Sequence, residues 1–123
     1  MTSKEFIPDD NNVHRRVNDR CYDALSGRCT EGAFLLRPKE EYLSVNWAER
    51  TDLKTSATDN NSGKIFKVAE LVVKEPRAIG LGVEHIPTVN NPAHAGITGI
   101  SLQDDVQKII VASKLAEKSK MLK

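Results

Sequence analysis

The sequence predicts a single α+β domain: a mainly antiparallel sheet of about five strands with a C-terminal helix packed on one face. Three observations lead there. The chain has 123 residues, enough for one hydrophobic core and too few for two. Leu43, Val45 and Trp47 alternate with Tyr42, Ser44 and Asn46, the period of two that sends successive side chains to opposite faces of a strand. After Ser101 the apolar residues recur at helical spacing instead.

The elements follow in order. Residues 1–12 end in Pro8-Asp9-Asp10-Asn11-Asn12, a run that favours an extended or flexible segment over regular structure. His14 to Leu25 reads as helical or extended: Val13, Val17 and Cys21 have helical spacing, while Arg20-Cys21-Tyr22 also suits a strand. Ser26-Gly27 and Glu31-Gly32 are turns. Ala33 to Arg37 reads as a buried strand stopped by Pro38, since proline cannot continue a ladder. The alternating strand comes next, and Trp47-Ala48-Glu49-Arg50 opens a short helix or turn. Asp59-Asn60-Asn61-Ser62-Gly63 is a turn, because Asn and Gly tolerate positive φ. Lys64 to Lys74, rich in β-branched residues, is a strand. Ala78 to Ile86 is another, loosened by Gly80 and Gly82, and Gly96 to Ile100 is a short one.

For the final helix, Ser101 with Asp104 resembles a capping box. Asp104 and Asp105 suit its N-terminal dipole end and Lys114, Lys118, Lys120 and Lys123 its C-terminal end. Leu102, Val106, Ile109, Ile110 and Ala116 form one apolar stripe at helical spacing, with Val111 and Leu115 outside it. So wide an apolar arc implies deep packing or a face shared with a homo-oligomer or protein partner.

Composition removes several function classes. Lys and Arg number 18 against 17 Asp and Glu, a formal charge of +1, so nothing drives the chain toward nucleic acid or an anionic membrane. His14-Arg15-Arg16 and the C-terminal lysines are a weak basic signal without interleaved aromatics. The apolar runs are too short to span a bilayer, and the N-terminus lacks a secretory h-region, which gives a cytoplasmic expectation. Cys21 and Cys29 form no C-x-x-C pair and read as independent small residues. Ser62-Gly63-Lys64 lacks the upstream glycine of a P-loop, and no G-x-S-x-G or H-E-x-x-H is present. No motif calls for a cofactor or a metal.

The candidate chemistry lies in three groups. His85 and His94 bracket a loop stiffened by Pro87 and Pro92. As catalytic residues they would share acid and base roles near neutral pH; as structural ones each would hold the loop through a carbonyl. Tyr42, Ser44 and Asn46 present two hydroxyls and an amide along one strand face, either solvated or lining a cleft for a small polar ligand. Arg20, Arg37 and Arg77 offer planar forks for phosphate or carboxylate, or serve as surface charges. Together Arg20, Arg37, Tyr42, Ser44, Asn46, His85 and His94 make a candidate site for a small anionic or nucleotide-like ligand. The rival expectation is a regulatory, antitoxin-like interaction module using the final helix.

Two stretches taken together, Ala33 to Trp47 (AFLLRPKEEYLSVNW) and His85 to Ile97 (HIPTVNNPAHAGI), resemble a group of small uncharacterised bacterial proteins. That resemblance implies no activity. Arg20, Tyr22 and Ser44 are also similar in order to the early Arg or His and the middle Ser or Tyr of ADP-ribosyltransferase-like proteins. The late glutamate of that pattern has no counterpart in a matching motif.

Overall fold

A six-stranded antiparallel sheet organises the chain, one strand more than expected. The computed structural model describes residues 4–59 and 61–122. The strands and helices are β1 (Asn12–Val17), β2 (Tyr22–Asp23), β3 (Arg28–Cys29), β4 (Leu43–Trp47), α1 (Leu53–Ala57), β5 (Lys67–Val72), α2 (Lys74–Ala78), β6 (Gly82–His85), β7 (His94–Thr98), α3 (Asp105–Lys118) and β8 (Lys120–Leu122). The sheet order is β6-β7-β4-β1-β5-β8, and β2 and β3 form a separate hairpin.

Register fixes the two faces, because directly opposed residues of an antiparallel pair point the same way. Trp47 opposes Val13, which opposes Leu71; Leu43 opposes Ile97, which opposes Val83. These residues are all buried and form the core with Phe34 and with Val111, Ala112, Leu115 and Ala116 of α3. The other face carries a polar row across five strands: His94 opposes Asn46, Asn46 opposes His14, His14 opposes Glu70, and Glu70 opposes Lys120.

Several local expectations give way to tertiary packing. His14 to Leu25 resolves into the end of β1, a 3₁₀ turn at Asp19–Cys21 and β2. Ala33 to Arg37 is not a strand: Glu31–Phe34 is a 3₁₀ turn, which lets the consecutive Ala33 and Phe34 both point inward beneath α3, as a strand does not. Residues 78–81 are not strand either. Pro76 sits in the first turn of α2, where its missing N–H costs nothing, and Gly80 closes the following turn at φ +87°. The short strand placed at Gly96 to Ile100 begins two residues earlier and ends at Thr98. The turn at Asp59 to Gly63 forms around a Gly63 N–H to Asp59 carbonyl bond of 2.7 Å; Asn60 lies outside the described residues. The N-terminal stretch from Lys4 has no regular structure before β1 and is anchored in the core by Ile7, 1% exposed, while its other residues up to Asp10 are exposed; Met1 to Ser3 lie outside the described residues.

The final helix corrects the expectation most sharply. Its cap is Asp104, whose carboxylate accepts from the Gln107 N–H at 2.8 Å, while Ser101 belongs to a preceding 3₁₀ turn. The buried face is Val111, Ala112, Leu115 and Ala116. Of the stripe read from the sequence only Ala116 is buried; Leu102, Val106, Ile109 and Ile110 are exposed, Leu102 at 88%. Two alanines on the inner face allow the helix to lie close to its neighbours, so small residues, not the bulkiest, mark the packed side. No helix among the described residues is long and apolar enough to cross a membrane.

Candidate functional site

Strands β1 and β4 pair only at Val13–Trp47 and His14–Asn46, although β1 continues along β5 to Val17–Lys67 and β4 along β7 to Leu43–Ile97. Past the His14–Asn46 pair the two strands part, and the sheet opens. Arg15 fills the opening: Nε donates to the Ala33 carbonyl and Nη1 to the Ser44 carbonyl, both at 2.8 Å. A side chain thus satisfies a strand carbonyl where the β1–β4 ladder has ended.

Above this opening lies a cavity of about 180 Å³ lined by His14, Arg15, Arg16, Ser44, Val45, Asn46, Asn91 and His94. Burial depresses the Arg15 pKa, Glu40 opposes that shift, and the positive charge of Arg37 adds to it. A guanidinium stays charged across the physiological range all the same. Among the described residues no carboxylate lies within ion-pair distance of Arg15 or Arg16. Arg16 donates to the Ser56 and Thr58 carbonyls at 2.8 and 2.6 Å, which ties α1 to β1. Both guanidinium groups are therefore bonded only to neutral oxygens.

His94 sits on the cavity wall. Its Nδ1 donates to the Ile86 carbonyl at 2.9 Å, which fixes the ring and leaves Nε2 as its second site. Tyr42 packs against the ring edge, centroids 5.9 Å apart. Gly96 makes this possible, since a Cβ there would collide with the Tyr42 ring. Ser44, opposite Gly96, is exposed and presents its hydroxyl on the same face.

Beside the cavity runs a chain of polar side chains. Asn91 Nδ2 donates to Asn46 Oδ1 at 2.8 Å, and Asn46 Nδ2 donates to Ser56 Oγ at 3.4 Å. Ser56 Oγ is 2.9 Å from His14 Nδ1, and His14 Nε2 is 3.4 Å from Glu70 Oε2. Ser56–His14–Glu70 has the bonding order of a nucleophile–base–carboxylate triad. Ser56 is only 1% exposed and does not line the cavity, so the chain holds Asn46 and His14 in place instead of attacking a substrate.

The structure thus brings together Ser44, Asn46 and His94, with Tyr42 behind them. His85 lies on the core face, 2% exposed. Its Nδ1 accepts from the Glu5 N–H at 3.1 Å and its Nε2 donates to the Pro92 carbonyl at 2.7 Å. With the Trp47 ring 5.1 Å away edge-on, His85 braces the N-terminal stretch against the loop before β7 and does not meet His94 in one pocket. Arg20 is exposed in the 3₁₀ turn after β1 and Arg37 is exposed after Phe34; neither lines the cavity. Arg77 holds the N-terminal stretch through the Ile7 carbonyl and Asp9. The sequence reading did not select His14, Arg15, Arg16 and Asn91 for this pocket. His14 and Arg16 share one face of β1 by alternation, a signal hidden while that segment stood between helix and strand; Arg15, of opposite parity, reaches the cavity through the gap beside β4.

Comparison of the chain with family models, curated proteins and solved structures finds no match. Geometry alone therefore carries the functional reading.

Proposed function

We propose that this protein binds a small anionic ligand in the opening between β1 and β4. The observation that carries the reading is Arg15: a half-buried positive charge, bonded only to carbonyl oxygens, on the wall of a cavity. Partial burial of a charge is costly; Glu40 offsets part of that cost from beyond ion-pair distance, and an incoming anion offsets more. At about 180 Å³ the cavity takes a phosphate or a small carboxylate; a nucleotide would enter by its phosphate alone. Ser44 and Asn46 orient the anion, and Nε2 of His94 is the group that exchanges a proton with it if the ligand is turned over. The free thiols of Cys21 and Cys29 suit a reducing, cytoplasmic address.

The test is calorimetric titration of the purified chain with phosphate, pyrophosphate, a nucleoside monophosphate and small dicarboxylates. Saturable one-to-one binding that weakens at least tenfold in Ser44→Ala and His94→Ala supports the reading. Absence of binding across the panel at millimolar ligand, or unchanged affinity in both variants, overturns it.

The exposed face of α3 supports a second reading, self-association. Val106, Ile109 and Ile110 are apolar and exposed on one helix. Its first turn is acidic (Asp104, Asp105) and its last turns basic (Lys114, Lys118). An antiparallel pair of these helices from two copies therefore sets opposite charges and opposite dipole ends side by side.

A further inference from the structure

A second, chemically different cleft lies on the other side of α1. Ser56 faces the polar chain at His14 and Asn46, whereas its neighbour Ala57 faces a cleft of about 520 Å³. The walls come from separate parts of the chain: Leu53 of α1, Phe66 before β5, Val68 of β5, Leu122 of β8 and Tyr22 of the β2–β3 hairpin. Ile65, also in the wall, is 73% exposed, an apolar side chain left beside a concavity and not packed into the core. The volume is in the range of small-molecule sites and well above that of the polar cavity.

The charged residues of this wall are Lys54 and Lys67, and no carboxylate of the described residues joins them there. Lys67 lies over the Tyr22 ring at 4.9 Å and 3.8 Å from Asp19, whose side chain is 80% exposed and so well screened by water. Lys54 has no ion-pair partner among the described residues. An apolar trough with two ammonium groups and no acid is complementary to a molecule with a hydrocarbon body and one anionic end.

We propose that this cleft binds a small amphiphilic carboxylate, an aliphatic or aromatic acid of about a dozen non-hydrogen atoms. The apolar body lies against Leu53, Phe66, Val68 and Leu122, and the carboxylate meets Lys54 and Lys67. The site is independent of the anion pocket at Arg15: it uses different residues and selects for apolar bulk.

The experiment titrates the full chain with decanoate below its aggregation concentration, following backbone amide resonances. Saturable shifts confined to residues 22, 27, 53–57, 65–68 and 121–122 are expected. Decanol, with the same tail and no charge, binds at least tenfold more weakly, and so does decanoate to the Lys54→Met/Lys67→Met double variant, whose replaced side chains are exposed. Absence of saturable shifts, equal binding of decanol, or shifts centred on Ser44 and His94 overturns the proposal. So does capture on anionic lipid vesicles without binding of free decanoate, which would make the face a membrane contact. The decanol comparison needs no variant and decides the matter even if the double substitution perturbs folding.

Discussion

The Arg15 guanidinium donates to the Ser44 carbonyl at 2.8 Å where β1 and β4 have stopped pairing. One side chain thereby bridges the gap between the strands and places a positive charge on the cavity wall. Arg15 bonds two backbone carbonyls and also lines the cavity, which shapes what its replacement does.

Arg15→Met removes the donors to the Ala33 and Ser44 carbonyls. Losing one part-buried and one exposed hydrogen bond costs roughly 1 kcal/mol, because water can replace the exposed donor. For a domain of this size each kcal/mol lowers the midpoint by roughly 4 °C. A melting curve indistinguishable from that of the parent protein would show that the opening does not depend on Arg15.

The two histidines of the bracketed loop are expected to behave oppositely. His85→Ala removes a buried ring with partners on both nitrogens, so denaturant unfolding should reveal a loss of roughly 2–4 kcal/mol. His94→Ala removes a half-buried ring and should cost less than about 1 kcal/mol while weakening anion binding. Equal destabilisation by the two would contradict their placement on opposite faces.

Ser56→Ala breaks the polar chain in its middle, depriving both His14 Nδ1 and Asn46 Nδ2 of a partner. Urea unfolding should register a loss of roughly 1–3 kcal/mol. In side-chain amide spectra the Asn46 resonance should broaden or move as its orientation relaxes; an unmoved resonance would mean Asn91 alone positions it.

Acid stability follows from three carboxylates held below the usual range. Glu5 is lowered by its hydrogen bond to Arg50, Asp52 by its bond to the Thr55 N–H at the start of α1, and Asp59 by its bond to the Asn61 N–H. A depressed folded-state pKa means the unfolded chain binds protons first. The contribution is present above the ordinary carboxylate pKa of about 4 and is lost as pH falls through the lower folded value. Melting curves between pH 6 and pH 2, in the range set by these carboxylates, should show the midpoint falling only at the acid end. Asp52→Asn should flatten that fall, and an unchanged profile in this variant would remove Asp52 from the account.

If α3 mediates self-association, light scattering at increasing concentration should show a dimer that Ile109→Glu dissolves. A monomer at all concentrations would leave the exposed stripe without that role.

Much of the fold was readable from local pattern. The alternation of Leu43, Val45 and Trp47 against Ser44 and Asn46 survives intact, because a two-residue period with one apolar face admits a single register against a core. That strand supplied Ser44 and Asn46, and the loop pattern supplied His94, so three cavity residues were legible. His14 and Arg15 were not, since a short segment with both helical and extended spacing is decided by the neighbours it pairs with. The outward turn of Ile109 and Ile110 was hidden for a related reason: periodicity locates apolar stripes but does not say which one meets the core.

By itself the sequence determined one α+β domain, the direction of β4 and its two faces, and the closing helix with its acidic start. These depend on period, caps and proline, all local. Only the tertiary structure decided that β1 and β4 part after two pairs, that Arg15 rather than Arg20 or Arg37 lines the cavity, and that His85 and His94 lie on opposite faces. Each of those outcomes depends on which strands become neighbours and in what register, and such long-range pairing leaves no mark in the spacing of residues along one segment.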